Sequence, residues 1–340
     1  MKTGERPAVN IHAKTPVSAT PNKQKKISNL QETRRIILSE LPVKDVTQNI
    51  KETQEFLVAI KNFIDTVRSL EDYEKKQQWC NEVFNKITSF SWKQAENEVS
   101  EILYKWGRFL LDHGKYSEGL EKFWKIYEKF PDSKWYRTVF EELIAREQPK
   151  NMVFVNDKDL GAYFIDIYPV TNVEYLEFLK DMNYPAPHHW KGDMYPIGEA
   201  NHPVCWISQE DAKRYAQWCN KRLPSNEEWE KAAAGPQKNK WPWGNDYELK
   251  KCNCLDSGGK GTSSVGNYAE GKSTYGCHDM CGNVWEWTDS WYSNDETYKI
   301  LKGGSWYTCK EYTVNAYRYF DVPSAVSGLY GFRCAKSFSI

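Results

Sequence analysis

The stretch that decides the architecture covers residues 208–235 and reads SQEDAKRYAQWCNKRLPSNEEWEKAAAG. It predicts two helices with their start and stop signals in place. Ser208 caps the first, with Asp211 three residues on; that is close to a capping box, with Asp in place of the usual Glu or Gln. Ser225 caps the second, Glu228 completes its box, and Gly235 ends it. Between them, Arg222-Leu223-Pro224 forms a sharp corner, because proline cannot continue a helix.

Upstream, MVFV (152–155) and AYFIDIYPV (162–170) are rich in β-formers, and Thr171 or Asn172 caps a further helix through Tyr175, Leu176 and Leu179. Downstream of Pro236 regular structure thins out. Loops of that length are functional, or are braced by ions and aromatic packing. The aromatics are there: ten of the 15 Trp follow His189. Trp229, Trp285, Trp287 and Trp306 are the expected anchors. Gly282, Gly303 and Gly304 are expected at positive φ, where the chain must turn without a Cβ.

The amino-terminal side has another character. Residues 1–50 hold no aromatic, and residues 1–30 carry six basic side chains against Glu5 alone. Such a stretch buries too little apolar surface to offset chain entropy and is expected to be a disordered basic tail. Residues 51–148 read as a helical bundle; Phe56, Leu57, Ile60, Phe63, Ile64 and Val67 follow helical spacing. Within it, Gly107, Gly119, Phe123 and Pro131 resemble one tetratricopeptide helix pair, with Gly114 and Tyr116 at its turn. The pattern is not repeated on either side, so packing or docking of a partner protein is expected rather than a peptide-binding solenoid.

Whole-chain composition excludes several classes. Basic and acidic side chains balance at 46 each, which argues against a dedicated nucleic-acid binder. No apolar run nears the roughly 18 residues of a membrane span. The Met1 end shows no secretory leader. A cytoplasmic site is therefore expected by default, or a virion or cell-surface site by another route. Mostly reduced thiols are expected for the nine cysteines.

Residues 149–340 resemble the formylglycine-generating enzyme (sulfatase-modifying factor) domain. The resemblance is carried in order by FIDIYPVTNVEYLEFL, HPVCWISQEDAKRYAQWCNKRLPSNEEWEKAAAG, WPWGN, YGCHDMCGNVWEWTDSWY, LKGGSW and GFRCA. It implies an α+β, C-type lectin-like fold, here preceded by an all-α, TPR-like domain. The family's enzymes place two cysteines after GGSW, a thiolate pair suited to copper(I) and oxygen. Those positions are Thr308 and Thr313 here, and Cys309 stands one place off. Related iron-dependent sulfoxide synthases need a His-x3-His-x-Glu set upstream, yet only His12 and His113 precede residue 188. No copper or iron is expected, nor catalysis; an oxidase of the formylglycine-generating type is the alternative.

The segment between GGSW and GFR also resembles the variable region of retroelement-diversified proteins. Against that pattern the changeable positions are Tyr307, Thr308, Cys309, Tyr312, Tyr317, Tyr319, Phe320, Asp321, Val322, Ala325, Ser327, Gly328, Leu329 and Tyr330. None is Lys, Glu, Gln, Met or Trp, the types that randomising such codons cannot reach. Glu311, Ala316, Arg318, Pro323 and Arg333 fall at fixed positions, with Trp306 as a fixed base; Lys310 and Thr313 stay unexplained. Tyr with small residues makes a paratope-like surface, since Tyr offers much contact area for two torsions. The expected partner is a protein or cell-surface ligand. The opposite reading is that these tyrosines line the fold's own core.

Two neighbouring sets of residues are candidates for metal binding. The resemblance implies a structural Ca²⁺ held by Asp279, Gly282, Val284 and Glu286, oxygen donors of the kind Ca²⁺ favours; the alternative for Glu286 is a buried ion pair. Cys252, Cys254, Cys277 and Cys281, with His278 beside them, have spacings too irregular for an ordinary zinc site, and buried free thiols are the alternative.

Overall fold

The structure is a computed structural model describing residues 96–338, together with Val58, Asn81, Phe84 and Asn85. The basic tail over 1–50 and all six apolar positions from Phe56 to Val67 lie outside the described residues. The chain divides into two compact units, residues 1–145 and 146–340.

In the first unit α1 (Glu96–Asp112) and α2 (Tyr116–Lys129) form a helix pair, followed by α3 (Tyr136–Glu147). Small residues set their spacing. A Cβ on Gly107 would meet the Phe123 ring at 2.6 Å, and one on Gly119 would meet the Gly107 carbonyl at 2.9 Å. Gly114 takes φ +77° in the turn between them. Phe123, Ile126, Leu103 and Leu110 are buried, and Tyr104 stacks on Phe123. The apolar faces of both helices thus close on each other, which stabilises short helices more than propensity does.

The second unit mixes α and β. Strands β1 (Met152–Asp157), β2 (Gly161–Asp166) and β7 (Ala335–Ser337) make an antiparallel sheet in the order β1-β2-β7. Strands β3 (Trp285–Trp291), β4 (Lys299–Lys302), β5 (Tyr319–Asp321) and β6 (Tyr330–Gly331) make the other, in the order β5-β4-β3-β6. Among the described strand pairs of this sheet, β3–β6 alone is parallel. Helices α4 (Asn172–Met182), α5 (Gln209–Trp218) and α6 (Asn226–Ala234) start at Thr171, Ser208 and Ser225, each with a complete capping box. Asp211 fills its box as Glu would, because its carboxylate still reaches the Ser208 N–H at 3.0 Å. Gly235 ends α6 at φ +68°.

Strand β3 organises the core. Trp285, Glu286, Trp287 and Thr288 are all buried, so the strand is covered on both faces instead of alternating. Trp287 packs with Tyr175, Tyr215 and Phe332, and its indole N–H donates to the Ile207 carbonyl at 3.0 Å. Trp229 centres another cluster with Val155, Ile165, Cys277 and Met280. Trp306 departs from its expected role as a core anchor: it is half-buried in the turn after Ser305, its ring beside exposed Tyr307.

Candidate functional site: an aromatic face on a buried ion pair

The site is framed by a guanidinium at the foot of the segment 303–333. Arg333 is wholly buried. Its Nε and Nη2 donate to the two carboxylate oxygens of Glu286 at 2.6 and 2.7 Å. Its remaining N–H groups donate to the carbonyls of Asp166, Ile167 and His278. Trp229 Nε1 donates to Glu286 at 2.7 Å. Every polar atom of this pair is satisfied, as burial of charge requires. Strand β3, the end of β2, the segment leading into β7 and the loop around His278 are thereby locked together.

From there the chain runs along β4 to Gly303 and Gly304, at φ +92° and +83°. A side chain at Gly304 would meet Thr313 Cγ2 at 2.7 Å. Thr308 and Thr313, expected at the positions of the family's catalytic cysteines, spend their hydroxyls on local structure. Thr308 Oγ1 accepts from the Ser305 N–H at 3.0 Å and pairs with Ser305 Oγ at 2.8 Å. Thr313 is fully buried and donates to the Lys310 carbonyl at 2.9 Å. Neither offers a soft ligand or an activated nucleophile.

Beyond this turn the segment comes to the surface. Tyr307, Tyr312, Tyr319, Phe320 and Val322 are exposed. Thr308, Cys309, Tyr317, Asp321, Ala325, Ser327, Gly328 and Leu329 are half-buried. Tyr330 is the buried one of the fourteen. Its place in β6 sets it against Trp287, and its hydroxyl donates to Asp321 at 2.9 Å. Burial, then neighbouring Tyr319 and the bond to Asp321, hold its phenol well above the ordinary tyrosine range. Tyr317, Ala325 and Leu329 rest their inner sides on the core, and burial followed by the neighbouring Tyr312 raises the Tyr317 phenol. Gly328 lies against the Trp206 indole, which a Cβ would meet at 3.1 Å. Of the fixed positions, Arg318 is exposed and places its guanidinium 5.4 Å from the Tyr292 ring centroid.

The face is wider than the sequence pattern. Tyr292 packs on Phe320 with centroids 4.2 Å apart, and Tyr298 lies 5.2 Å from the same ring. Tyr319 stacks on Trp285 at 5.0 Å. Trp291 and Tyr292, 37% and 36% exposed, extend the aromatic surface onto the β3–β4 hairpin. The signal was present in WTDSWY, but alternation from buried Trp287 cannot place Trp291 and Tyr292, because the β3–β4 register shifts between Trp287 and Trp291.

The cation loop is answered unevenly. Glu286 sits in the buried ion pair weighed as its alternative, with both oxygens bonded to Arg333. Asp279 is buried and has no ion-pair partner among the described residues; its carboxylate accepts from the Gly266 N–H at 2.7 Å. Burial pushes its pKa up to about 6. Gly282 turns at φ +83° beside Asn253, and Val284 is buried. A Ca²⁺ here would find one carboxylate without an ion-pair partner, Asp279, and would share Glu286 with a guanidinium. Asp279 fits such an ion and Glu286 fits it poorly. The four cysteines considered for zinc are divided. Cys277 packs with Trp229 and Met280, whereas Cys252, Cys254 and Cys281 pack together with Trp241. On the face, ligand atoms of Asp256, Cys309 and Glu311 lie within 4.8 Å of one another.

The sulfatase-modifying factor enzyme 1-like domain matches residues 107–338. The serine/threonine-protein kinase Pkn1 of Chlamydia trachomatis is 32% identical over 216 residues, covering 54% of this chain and 34% of the kinase. The chain thus spans about a third of that relative's length. The inactive C-alpha-formylglycine-generating enzyme 2 of Mus musculus is 30% identical over 232 residues, covering 52% of this chain and 75% of the relative. Among solved structures, Treponema denticola variable protein 1 aligns with a TM-score of 0.46 at 21% identity, over 54% of this chain and 94% of that one.

Proposed function

The chain belongs to the sulfatase-modifying factor enzyme 1-like family, and from that premise we propose that it is a non-catalytic member that binds a macromolecular ligand. Its Tyr-rich face, residues 307–329, is the binding surface. The carrying observation is the contrast in burial along one segment. Gly303 to Ser305 and Tyr330 to Ala335 are buried, while the other thirteen positions that can vary by codon reach solvent or the boundary. A segment serving only as core would not present Tyr307, Tyr312, Tyr319 and Phe320 together at the surface. The two threonines with committed hydroxyls support the absence of oxygen chemistry. The mouse relative described as inactive is compatible with it.

In this reading the domain is a C-type lectin-like scaffold and the segment 303–333 is its retroelement-diversified region. The helical unit is a TPR-like element that docks a partner protein. The ligand is a protein or a cell-surface group gripped by tyrosines, which combine area, a hydroxyl and little torsional freedom. Binding of Ca²⁺ near Asp279 is a separate proposal, tested by the thermal shift that added Ca²⁺ causes.

The test needs no knowledge of the natural ligand. The thirteen accessible positions, all but Tyr330, are randomised together, and the chains are displayed and selected against an unrelated protein. Folded, specific binders are expected. A library that does not fold would mean that the segment is core. A metal-dependent oxidase is the second reading, favoured by the Asp256–Cys309–Glu311 group. It requires copper or iron bound through Cys309 and oxygen uptake with a cysteine peptide; Cys309→Ser abolishing such uptake would establish it.

A further inference from the structure

A cavity of about 250 Å³ opens in the second unit, and none of its lining residues belongs to the segment 303–333. Two of its charges are already matched. Lys221, in the turn after α5, donates from Nζ to Asp166 Oδ1 at 2.6 Å. The other oxygen of Asp166, the last residue of β2, accepts from the Cys334 N–H at 2.8 Å. That pair is electrically closed, and both carboxylate oxygens are committed.

Two further charges line the same cavity and are not paired. Lys150 and Glu174, the latter in the first turn of α4, have no ion-pair partner among the described residues. Glu174 Oε2 accepts from the Thr171 N–H at 2.9 Å and from its hydroxyl at 2.6 Å, which leaves Oε1 unspent. Tyr215 of α5 adds a neutral donor. Its side chain is only 7% exposed, its ring stacks on Tyr175 and meets Phe332 edge-on, and it borders the cavity. A buried tyrosine hydroxyl ordinarily finds a partner. This one has none among the described residues, so the cavity is where its O–H is offered. Burial, followed by Cys334 and Glu174, holds the phenol well above the ordinary tyrosine range. Val170, Val173 and Val265 add an apolar wall.

The unspent groups define what fits. A plain anion would meet Lys150 but bring like charge towards Glu174, and a plain cation would do the reverse at Lys150. A molecule carrying both charges a few bonds apart satisfies each. The valines ask for a short aliphatic group beside them, and the volume is too small for a drug-sized ligand.

We propose that this cavity binds a free aliphatic α-amino acid of the valine type. Lys150 takes the carboxylate, with a further hydrogen bond from the Tyr215 hydroxyl. Glu174 Oε1 accepts from the ammonium, and the side chain lies among the three valines. No bond is made or broken, and the site does not depend on the aromatic face being a binding surface. Occupancy bears on the frame all the same. Arg333 Nη1 donates to the Asp166 carbonyl at 3.0 Å, so the residue that closes the cavity's ion pair also holds the buried guanidinium. A ligand bound only to the folded chain raises its melting temperature.

The full chain is titrated calorimetrically with L-valine, and its melting temperature is followed in parallel. Two half-ligands of the same skeleton serve as comparison: 3-methylbutanoate lacks the ammonium, and isobutylamine lacks the carboxylate. The expected result is one valine per chain, a raised melting temperature, and at least about tenfold weaker binding of either half-ligand, the size of a lost charged hydrogen bond. Glu174→Gln keeps the capping box, because Gln serves there as Glu does. It removes the charge and should weaken valine binding about tenfold, as should Lys150→Met. Tyr215→Phe, which deletes one hydroxyl, should weaken it about fivefold. Lys180→Met, an exposed change on the same helix as Glu174, should leave it within about twofold. Should a variant not fold, the three ligands on the wild-type chain decide alone. No binding of valine at millimolar concentration, or a half-ligand that binds as tightly as valine, would overturn the proposal.

Discussion

Glu286 with Arg333, and Tyr307 with Tyr312, belong to the same stretch of the fold and obey opposite rules. The ion pair is sealed, with every N–H and oxygen matched. The tyrosines are 61% and 49% exposed, and much of each ring is left to solvent. Between the two lie the Gly303-Gly304 turn and the buried Thr313. The difference teaches how one segment can be held and still be free to vary: its ends carry the stability, and its middle is carried.

That division is broken most severely at Arg333. Arg333→Ala leaves Glu286 buried without its partner and should cost about 3–5 kcal/mol in chemical denaturation. Arg333→Met combined with Glu286→Gln should recover part of that loss, because the stranded charge is gone.

The next effect is at Asp279. Its folded pKa of about 6 lies above its ordinary value of 3.8, so folding disfavours its ionised form. The contribution to stability is therefore fullest below about pH 4 and is lost as pH rises through 6, about 3 kcal/mol in all. Asp279→Asn should flatten that part of the stability–pH profile and raise the melting temperature at pH 7.5. If Ca²⁺ binds the loop, added Ca²⁺ should stabilise the wild-type chain above pH 6 and leave Asp279→Asn unmoved.

A smaller cost is expected at the turn. Gly304→Ala must hold φ near +83° and push Thr313 aside, for a loss of about 1–3 kcal/mol by thermal unfolding. At the face the effect should nearly vanish. Tyr307→Ala and Tyr312→Ala should each change stability by no more than about 0.5 kcal/mol, while binding by a selected partner falls at least tenfold. A loss of several kcal/mol at either tyrosine would erase the distinction between held ends and carried middle.

Much of the frame was legible because its signals are local. Capping residues at Thr171, Ser208 and Ser225 announce helices through bonds spanning three residues, and positive-φ glycines announce turns. The contents of the site were harder to read. Glu286 sits 47 residues from Arg333, and a lone acid in WEW looks the same whether it meets a cation or a guanidinium. Trp291 and Tyr292 were missed because the register shift in the β3–β4 hairpin ends the alternation. Tyr330 reads like its neighbours in the variable pattern, yet pairing with β3 buries it. The cysteines divided for the same reason: spacing in the chain puts Cys277 near Cys281, and packing sends them to different clusters.

The central claim is tested most directly by replacing Tyr307, Tyr312, Tyr319, Phe320 and Val322 with serine in one chain and measuring its cooperative unfolding by urea. The account predicts a single transition with an unchanged slope and a loss of no more than about 2 kcal/mol, mainly from Tyr319 and Phe320, which stack on Trp285 and Tyr292. A chain that loses its transition altogether would contradict it, and would return these aromatics to the core.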